Sequence, residues 1–497
     1  MAVMSFGRRI SDLAQQAPER TALTCAGDSV TRADLDRWTS RLARDFRDRG
    51  VRVGDFVTIV LPNGIEWFVT AIAAWKVGAI PQPVSSRLPR SELAAIVELA
   101  QPKVIVGVDD SRFGPGGTLP TGYRPSSELD DGPLPDVVSP AWKAPTSGGS
   151  TGRPKLIVSG DPAQFDTEAR PPLRLGVDGC LVMPGPLYHN GPAGWSLMGL
   201  LWGNHVAFLA RFDAVATLQA IDHHKADMVY LVPTMMKRIS RLPIEVRDQH
   251  DLSSLKTVWH LAEPCPPWLK EEWIDWLGPD RILELYAGTE GQAVTVITGR
   301  EWLEHRGSVG RPVSGEIMIG NEDGRPVPPG TVGEVWLRST GEHPTYKYVG
   351  AEAKTKEGGW ESLGDMGSVD EDGYLYLADR LPDMIVSGGA NIYPAEIEAA
   401  LSEHRAVRSC VVIGLPDVDF GQRTHAIVEA APDTVDETEL VEFLAERLVS
   451  YKIPRSWEFV AESLRDDAGK VRRGELRNAR LQDGDERVAG MTSDPEP

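Results

Sequence analysis

The chain has 497 residues, of which 41% are hydrophobic and 25% are charged. A chain of this length buries a large core and divides into two or more domains, which excludes a small disulfide-stapled module. Its 52 basic and 72 acidic residues give a formal net charge of −20, so neither nucleic acid nor an anionic membrane is expected as its main partner.

The first three fifths of the chain alternate helix and strand patterns. Apolar residues at helical spacing predict an amphipathic helix that Thr31 caps and Gly50 ends. This alternation predicts an α/β sheet. Strands are expected at 56–61, 104–108, 226–232 and 257–261, and helices at 66–77, at 90–100 and in a stretch that ends near residue 241.

Beyond about residue 305 the sequence becomes rich in Gly and Pro, which predicts a β-rich subdomain. A helix at 394–402, a strand at 409–413 and a helix at 437–448 then predict a small α+β domain. We expect an N-terminal domain over 1–379, a hinge at 380–382 and a mobile C-terminal domain over 383–480. Residues 481–497 are polar and acidic and are expected to be disordered.

The four cysteines lie far apart and lack metal-ligand spacing, which favours reduced structural thiols. The N-terminus has no apolar run of the kind a signal peptide needs. The longest apolar stretch, residues 68–84, is interrupted by Lys76 and two prolines and is shorter than the ~20 residues of a membrane span. We therefore expect a cytoplasmic protein, with a homodimer as one possible state.

Four segments have compositions suited to nucleotide chemistry. SGGSTGRPK, residues 147–155, combines glycines that let backbone N–H groups approach an anion with hydroxyls and a lysine. YAGTEG, residues 286–291, exposes a hydroxyl and a carboxylate that can hold Mg²⁺ and a phosphate oxygen. Asp365 and Arg380 suit a ribose diol and a sugar or phosphate, and AGK, residues 468–470, adds a lysine. Singly, these segments are also typical of a surface loop, a structural turn or solvated charges.

The order of these segments resembles the adenylate-forming superfamily, which includes acyl- and aryl-CoA synthetases, luciferases and peptide-synthetase adenylation domains. SGGSTGRPK is similar to its phosphate loop, YAGTEG to its Thr-Glu motif, and LGD at 363–365 to its ribose motif. DRLPDMIVSGGANIYPAEIE at 379–398 resembles its hinge and following loop, and AGK its C-terminal lysine motif. The resemblance covers nearly the whole chain.

The resemblance implies an enzyme that joins a carboxylate to ATP with Mg²⁺, releases pyrophosphate, and passes the acyl group from the acyl-adenylate to CoA. On the family's pattern Lys470 bridges the carboxylate and the α-phosphate, Thr289 contacts the α-phosphate, and Glu290 binds Mg²⁺. His189 completes the implied catalytic set. The implied nucleotide contacts are Ser147, Gly149, Ser150, Thr151, Gly152, Lys155, Glu263, Tyr286, Asp365 and Arg380.

The carboxylate pocket is also implied by resemblance, because YHNG at 188–191 is similar to the family's aromatic or histidine gate and WHLAE at 259–263 precedes the usual adenine border. Small residues leave room for a bulky aromatic or polycyclic acid. Tryptophans at 195, 202 and 259 are also typical of an ordinary core. The implied lining is Tyr188, His189, Trp259, His260, Ala287 and Gly288.

Two of the positions that depart from the family's pattern bear on the reaction. Pro382 stands at the usual hinge residue, and because proline fixes φ near −65°, either the hinge lies at a neighbour or the domain swing is reduced. Glu263 replaces a small residue and can contact adenine, orient an amine or be solvated. These departures favour an amide bond synthetase or a stand-alone enzyme that loads a carrier protein as alternatives to a CoA ligase. A nucleotide-binding module without catalysis is a further alternative from another class.

Overall fold

The structure is a computed structural model that describes residues 3–110, 117–148, 154–380, 383–387, 390–467 and 469–481. The predictions for Gly149, Ser150, Thr151, Gly152 and Pro382, and for the tail beyond residue 481, lie outside these ranges.

The N-terminal part contains, in chain order, β1 (Val3–Ser5), α1 (Phe6–Gln16), β2 (Thr21–Cys25), β3 (Asp28–Thr31), α2 (Arg32–Asp48), β4 (Phe56–Ile59), α3 (Ile65–Lys76), β5 (Ile80–Pro83), α4 (Arg90–Ala100), β6 (Val104–Val106), β7 (Thr118–Leu119), β8 (Thr146–Gly148), β9 (Pro154–Ser159), β10 (Gln164–Asp166), β11 (Cys180–Met183), α5 (Asn190–Leu201), β12 (His205–Phe208), α6 (Ala214–His224), β13 (Met228–Leu231), α7 (Pro233–Ser240), α8 (Ile244–Arg247), β14 (Thr257–Leu261), α9 (Pro267–Leu277), β15 (Ile282–Ala287), β16 (Val294–Thr298), α10 (Gly299–Glu304) and β17 (Arg311–Ser314).

The remainder contains β18 (Glu316–Gly320), β19 (Gly333–Arg338), β20 (Tyr346–Val349), β21 (Lys354–Lys356), β22 (Trp360–Val369), β23 (Leu375–Arg380), β24 (Ile385–Ser387), β25 (Ala390–Ile392), α11 (Pro394–Glu403), β26 (Ser409–Asp417), β27 (Gly421–Glu429), α12 (Glu437–Ala445) and β28 (Ser456–Val460).

The main sheet has the strand order β17-β16-β15-β14-β13-β11-β12-β2-β3, and its six central strands, from β15 to β2, are parallel to their neighbours. A second, parallel sheet has the order β5-β4-β6-β7. Helix α3 is so apolar that residues 67–76 are all buried. A parallel sheet covered by helices buries both faces, as these nearly continuous apolar strands require.

The β-rich subdomain pairs β18, β19, β22, β21 and β23, and a separate three-stranded sheet, β20-β9-β8, carries the chain into the phosphate-loop segment. The small domain has its own core, where Ile397 and Leu401 of α11 meet Val412 of β26 and Leu440 and Leu444 of α12. The predicted fold class, a large N-terminal α/β domain with a β-rich subdomain and a small α+β C-terminal domain, is confirmed.

Several element predictions are confirmed in detail. Thr31 caps α2 by accepting a hydrogen bond from the Asp34 N–H at 3.1 Å, and Gly50 follows the helix with φ +84°. The strand expected at 257–261 is β14, whereas the strands expected at 56–61 and 104–108 end earlier, as β4 and β6. The four cysteines are unpaired. Within the described ranges, no helix combines the length and apolarity needed to cross a lipid bilayer.

Candidate active site

The loops at the carboxyl ends of the parallel strands bring the candidate residues together. His189 follows β11, Thr234 follows β13, Glu263 follows β14, and Thr289 and Glu290 follow β15. Carboxyl ends of parallel strands lie at one edge of a sheet, which is where α/β proteins of this type bind ligands. Residues up to 101 positions apart in sequence therefore share one edge.

A lysine and a carboxylate predicted from different motifs meet at this edge. Glu290 is only 6% exposed, and its Oε1 lies 3.5 Å from the Nζ of Lys155 on β9. The Tyr348 hydroxyl, on β20, donates a hydrogen bond to the same oxygen. Lys155 Nζ also lies 3.9 Å from the centre of the Tyr348 ring. The motifs identify Lys155 and Glu290 but contain no signal for Tyr348.

A second carboxylate is held beside β15. Asp365, 8% exposed, accepts a hydrogen bond from the Tyr286 hydroxyl at 2.7 Å. Arg380 lies opposite Asp365 in the register of β22 and β23, so the two residues predicted to contact the sugar share one strand pair. Ser147 lies opposite Lys155 in the β8–β9 pair.

The small domain docks onto the large one next to these groups. Asp466 Oδ2 lies 3.6 Å from His189 Nε2, and Arg87 pairs with Asp467. Burial lowers the pKa of His189, and the nearby Asp466 partly offsets this effect. The Lys470 loop therefore lies beside the predicted gate.

Glu263 forms part of this contact between domains. Its Oε2 accepts a hydrogen bond from the Thr234 hydroxyl at 2.7 Å, whereas its Oε1 is buried and has no hydrogen-bond partner among the described residues. A Cβ added to Gly469 would lie 1.2 Å from that Oε1, so the Lys470 loop rests directly on the carboxylate. Burial raises the pKa of Glu263 to about 7. The interpretation of Glu263 as a solvated residue is wrong, while its contact with adenine or an amine stays a prediction.

A second contact holds the end of helix α11. Arg241 donates to the carbonyl oxygens of Val407 at 2.9 Å and His404 at 3.4 Å, and Lys237 Nζ lies 3.4 Å from the Val407 oxygen. Burial lowers the pKa of Lys237 to about 8. His404 is the C-terminal cap of α11 and Val407 lies four residues beyond the helix, so these bonds hold the end of α11 and the following loop in the docked position.

The structure separates two of the predicted pocket residues. The indole of Trp259 is buried, donates to the Leu173 carbonyl at 2.8 Å and packs edge-on against Trp195. Neighbours along a strand point to opposite faces, and His260, 0% exposed, lies 4.0 Å from Glu284, which pairs with Lys270 of α9. His260 and Trp259 therefore do not line the same wall of a pocket, and the assignment of each to the pocket stays a prediction.

The remaining pocket residues lie near the site edge. The rings of Tyr188 and His189 are 4.3 Å apart. A Cβ added to Gly288 would lie 2.3 Å from Leu363 Cδ1, so Leu363 fills the space on that side of the glycine. As pocket residues, the full predicted set stays a prediction: Tyr188, His189, Trp259, His260, Ala287 and Gly288.

Comparisons with known proteins agree with this geometry. The family model of the AMP-binding enzyme matches residues 10–347, and that of the AMP-binding enzyme C-terminal domain matches residues 396–470. Feruloyl-CoA synthase of an Amycolatopsis species is 32% identical over 480 residues, covering 93% of this chain and 96% of that protein.

Two solved structures are similar over nearly the whole length. O-succinylbenzoate coenzyme A synthetase from Bacillus subtilis, in complex with ATP and magnesium ion, has a TM-score of 0.80 at 25% identity and covers 96% of this chain and 100% of its own. Amide bond synthetase McbA from Marinactinospora thermotolerans has a TM-score of 0.78 at 26% identity and covers 96% and 99%. Since family models match both parts of the chain in the order that its motifs predicted, the protein belongs to the AMP-binding enzyme family.

Proposed function

We propose that this protein is an ATP- and Mg²⁺-dependent acyl- or aryl-CoA ligase. The observation that carries the proposal is the convergence of three groups at one sheet edge: the Lys155–Glu290 contact, the Tyr286–Asp365 bond, and the docked loop that carries Lys470. A large aromatic acid is the proposed substrate class, a proposal that the similarity to feruloyl-CoA synthase supports.

The first step brings an anionic carboxylate onto the anionic α-phosphate of ATP, so neutralisation of charge is its main requirement. The carboxylate oxygen forms a bond to the α-phosphorus while the bond to the β-phosphate oxygen breaks and pyrophosphate leaves. In this proposal Lys155 holds the outer phosphates, Lys470 bridges the carboxylate and the α-phosphate, and Thr289 contacts the α-phosphate. Asp365 accepts hydrogen bonds from the ribose hydroxyls.

The residues present fit a magnesium ion that arrives with ATP. Mg²⁺ in such sites takes one or two carboxylates together with phosphate oxygens and water. Glu290 supplies one buried carboxylate, and the part of the chain that the structure describes contains no group of three or more His, Cys, Asp or Glu side chains that could hold a metal. When bound, the ion would supply positive charge to the phosphates. Glu290 is its proposed protein ligand.

In the second step the CoA sulfur attacks the acyl carbon, AMP leaves, and the thiol proton passes to solvent. The resemblance implies that the small domain rotates between the two steps, and we propose the 380–382 segment as the hinge between domains at 1–379 and 383–480. The contacts of Arg241 and Gly469 would then belong to the adenylating arrangement only.

An amide bond synthetase is the second candidate. Here an amine nitrogen replaces the CoA sulfur as the nucleophile. The buried, unpartnered Oε1 of Glu263 beside the Lys470 loop favours this candidate, because such an oxygen can accept a hydrogen bond from an incoming amine. A stand-alone adenylation enzyme that loads a carrier protein shares the first step.

Acid-dependent exchange of labelled pyrophosphate into ATP tests the first step, which all three enzyme candidates share. We expect exchange with aromatic acids in the presence of Mg²⁺, and none when acid is omitted or when Lys470 is replaced by alanine. Absence of exchange across a panel of acetate, fatty, aromatic and polycyclic acids would contradict the proposal and favour a nucleotide-binding module.

A further inference from the structure

Tyr348 occupies a position that none of the motifs includes. It lies on β20, which pairs with β9 so that Tyr348 is opposite Ile157, two residues along the strand from Lys155. Its hydroxyl donates to Glu290 Oε1, and its ring lies under the Lys155 ammonium. One side chain therefore contacts both members of the lysine–carboxylate contact.

The neighbouring tyrosine on the same face of β20 has a different partner. Tyr346 donates from its hydroxyl to Glu361 Oε2 at 2.8 Å, and Gln292 Nε2 donates to the same oxygen at 2.8 Å. The two tyrosine rings pack edge to face with their centres 4.7 Å apart. Tyr346 thus shares the strand, the ring packing and the type of hydrogen bond of Tyr348, but its hydroxyl donates to Glu361 where that of Tyr348 donates to Glu290.

We propose that Tyr348 is a positioning residue that holds the carboxylate of Glu290 for the divalent cation. The bond to Oε1 fixes one carboxylate oxygen and leaves Oε2, which lies beside Gly288, as the cation's ligand. In the proposed function Lys155 holds the phosphates of ATP, which leaves Tyr348 among the described residues to keep Glu290 in place. This inference rests on the proposed role of Glu290 as the Mg²⁺ ligand.

The chemistry of the tyrosine suits this role. The Tyr348 hydroxyl donates to Glu290 without carrying a charge of its own. A neutral donor orients a carboxylate without cancelling its charge. A lysine in the same place would compete with the cation electrostatically.

The test is the dependence of ATP binding on Mg²⁺ in the absence of acid, where no turnover occurs. The Kd for ATP is measured by calorimetry once with Mg²⁺ and once with EDTA. The ratio of the Kd in EDTA to the Kd in Mg²⁺ reports the ion's contribution. We expect Tyr348→Phe to reduce that ratio about tenfold, which is the effect of losing one hydrogen bond to a charged group. The Kd in EDTA should stay within about twofold of the wild-type value.

Tyr346→Phe is the matched control, because the Tyr346 hydroxyl lies on the same strand and interacts with Tyr348, but donates to Glu361 and not to Glu290. It should change the ratio far less than Tyr348→Phe does. If the separate variant Glu290→Gln lowers the ratio but Tyr348→Phe leaves it at the wild-type value, this inference is overturned and the proposed function still stands. If the wild type itself shows no magnesium effect on ATP binding, both the inference and the proposed role of Glu290 fail.

Discussion

Replacing Gly469 by alanine tests whether the Lys470 loop must rest on Glu263 during adenylation. Gly469 has φ +79°, and its added Cβ would lie 1.2 Å from Glu263 Oε1. A left-handed alanine costs about 1–2 kcal/mol. If the loop relaxes when it leaves the site, that cost alone lowers the docked population about five- to thirtyfold.

The overlap with Glu263 adds to this cost because the Thr234 hydroxyl holds the carboxylate in place. The largest possible loss is that of the Lys470 charge itself, about 10²- to 10³-fold by analogy with an oxyanion-hole donor. We therefore expect Gly469→Ala to slow adenylate formation by between about tenfold and a thousandfold. Transfer from preformed acyl-adenylate to CoA should change by less than about twofold.

Quenched-flow measurement of acyl-adenylate in a single turnover gives the first rate, and thioester formation from added acyl-adenylate gives the second. Gly421→Ala is the matched control, because Gly421 has φ +75° in the small domain but no heavy atom within 4 Å of its added Cβ. It carries the same backbone strain without the collision. If Gly469→Ala forms adenylate as fast as Gly421→Ala, the docked contact plays no part in the first step.

Three further changes test other parts of the site. Lys470→Ala should lower adenylate formation by at least about two orders of magnitude while ATP still binds, and a near-normal single-turnover rate would contradict its role. Arg241→Ala, which removes the bonds to the Val407 and His404 carbonyls, should slow adenylation several-fold without affecting thioester transfer; equal losses in both steps would argue against docking. The pKa of Glu263 is about 7 in the folded protein, against an ordinary value of 4.5. As the pH rises between these two values the folded protein loses stability, because the unfolded chain releases this proton and the folded protein keeps it. Glu263→Gln should therefore raise the urea midpoint more at pH 8 than at pH 5, by the equivalent of roughly 2 kcal/mol, and equal gains would refute this.

Local patterns predicted the elements well where the physical cause is local. Helix α2 follows from apolar spacing, a Thr31 cap and a glycine at its end, all of which act within one helix. Lys155, Glu290 and Asp365 could be predicted because their motifs resemble a known family. The structure adds that Lys155 and Glu290, 135 residues apart, are in contact.

Contacts that depend on strand pairing and domain docking could not be predicted from motifs. Tyr348 reaches Glu290 only because β20 pairs with β9, and Arg241 meets Val407 only because the small domain docks on α7. Glu263 appears exposed in a loop sequence, but the loop of the other domain covers it. The separation of His260 from Trp259, in contrast, follows from the period-two alternation of side chains along β14.

The most direct test of the proposed function identifies the product by mass spectrometry. The purified protein is incubated with ATP, Mg²⁺ and a panel of aromatic, fatty and polycyclic acids, each with CoA, with a simple amine, or with neither. We predict acyl-adenylate with ATP and an aromatic acid alone, and a thioester only when CoA is added. Amide with the amine, together with adenylate but no thioester in the presence of CoA, would contradict the ligase and establish the amide bond synthetase.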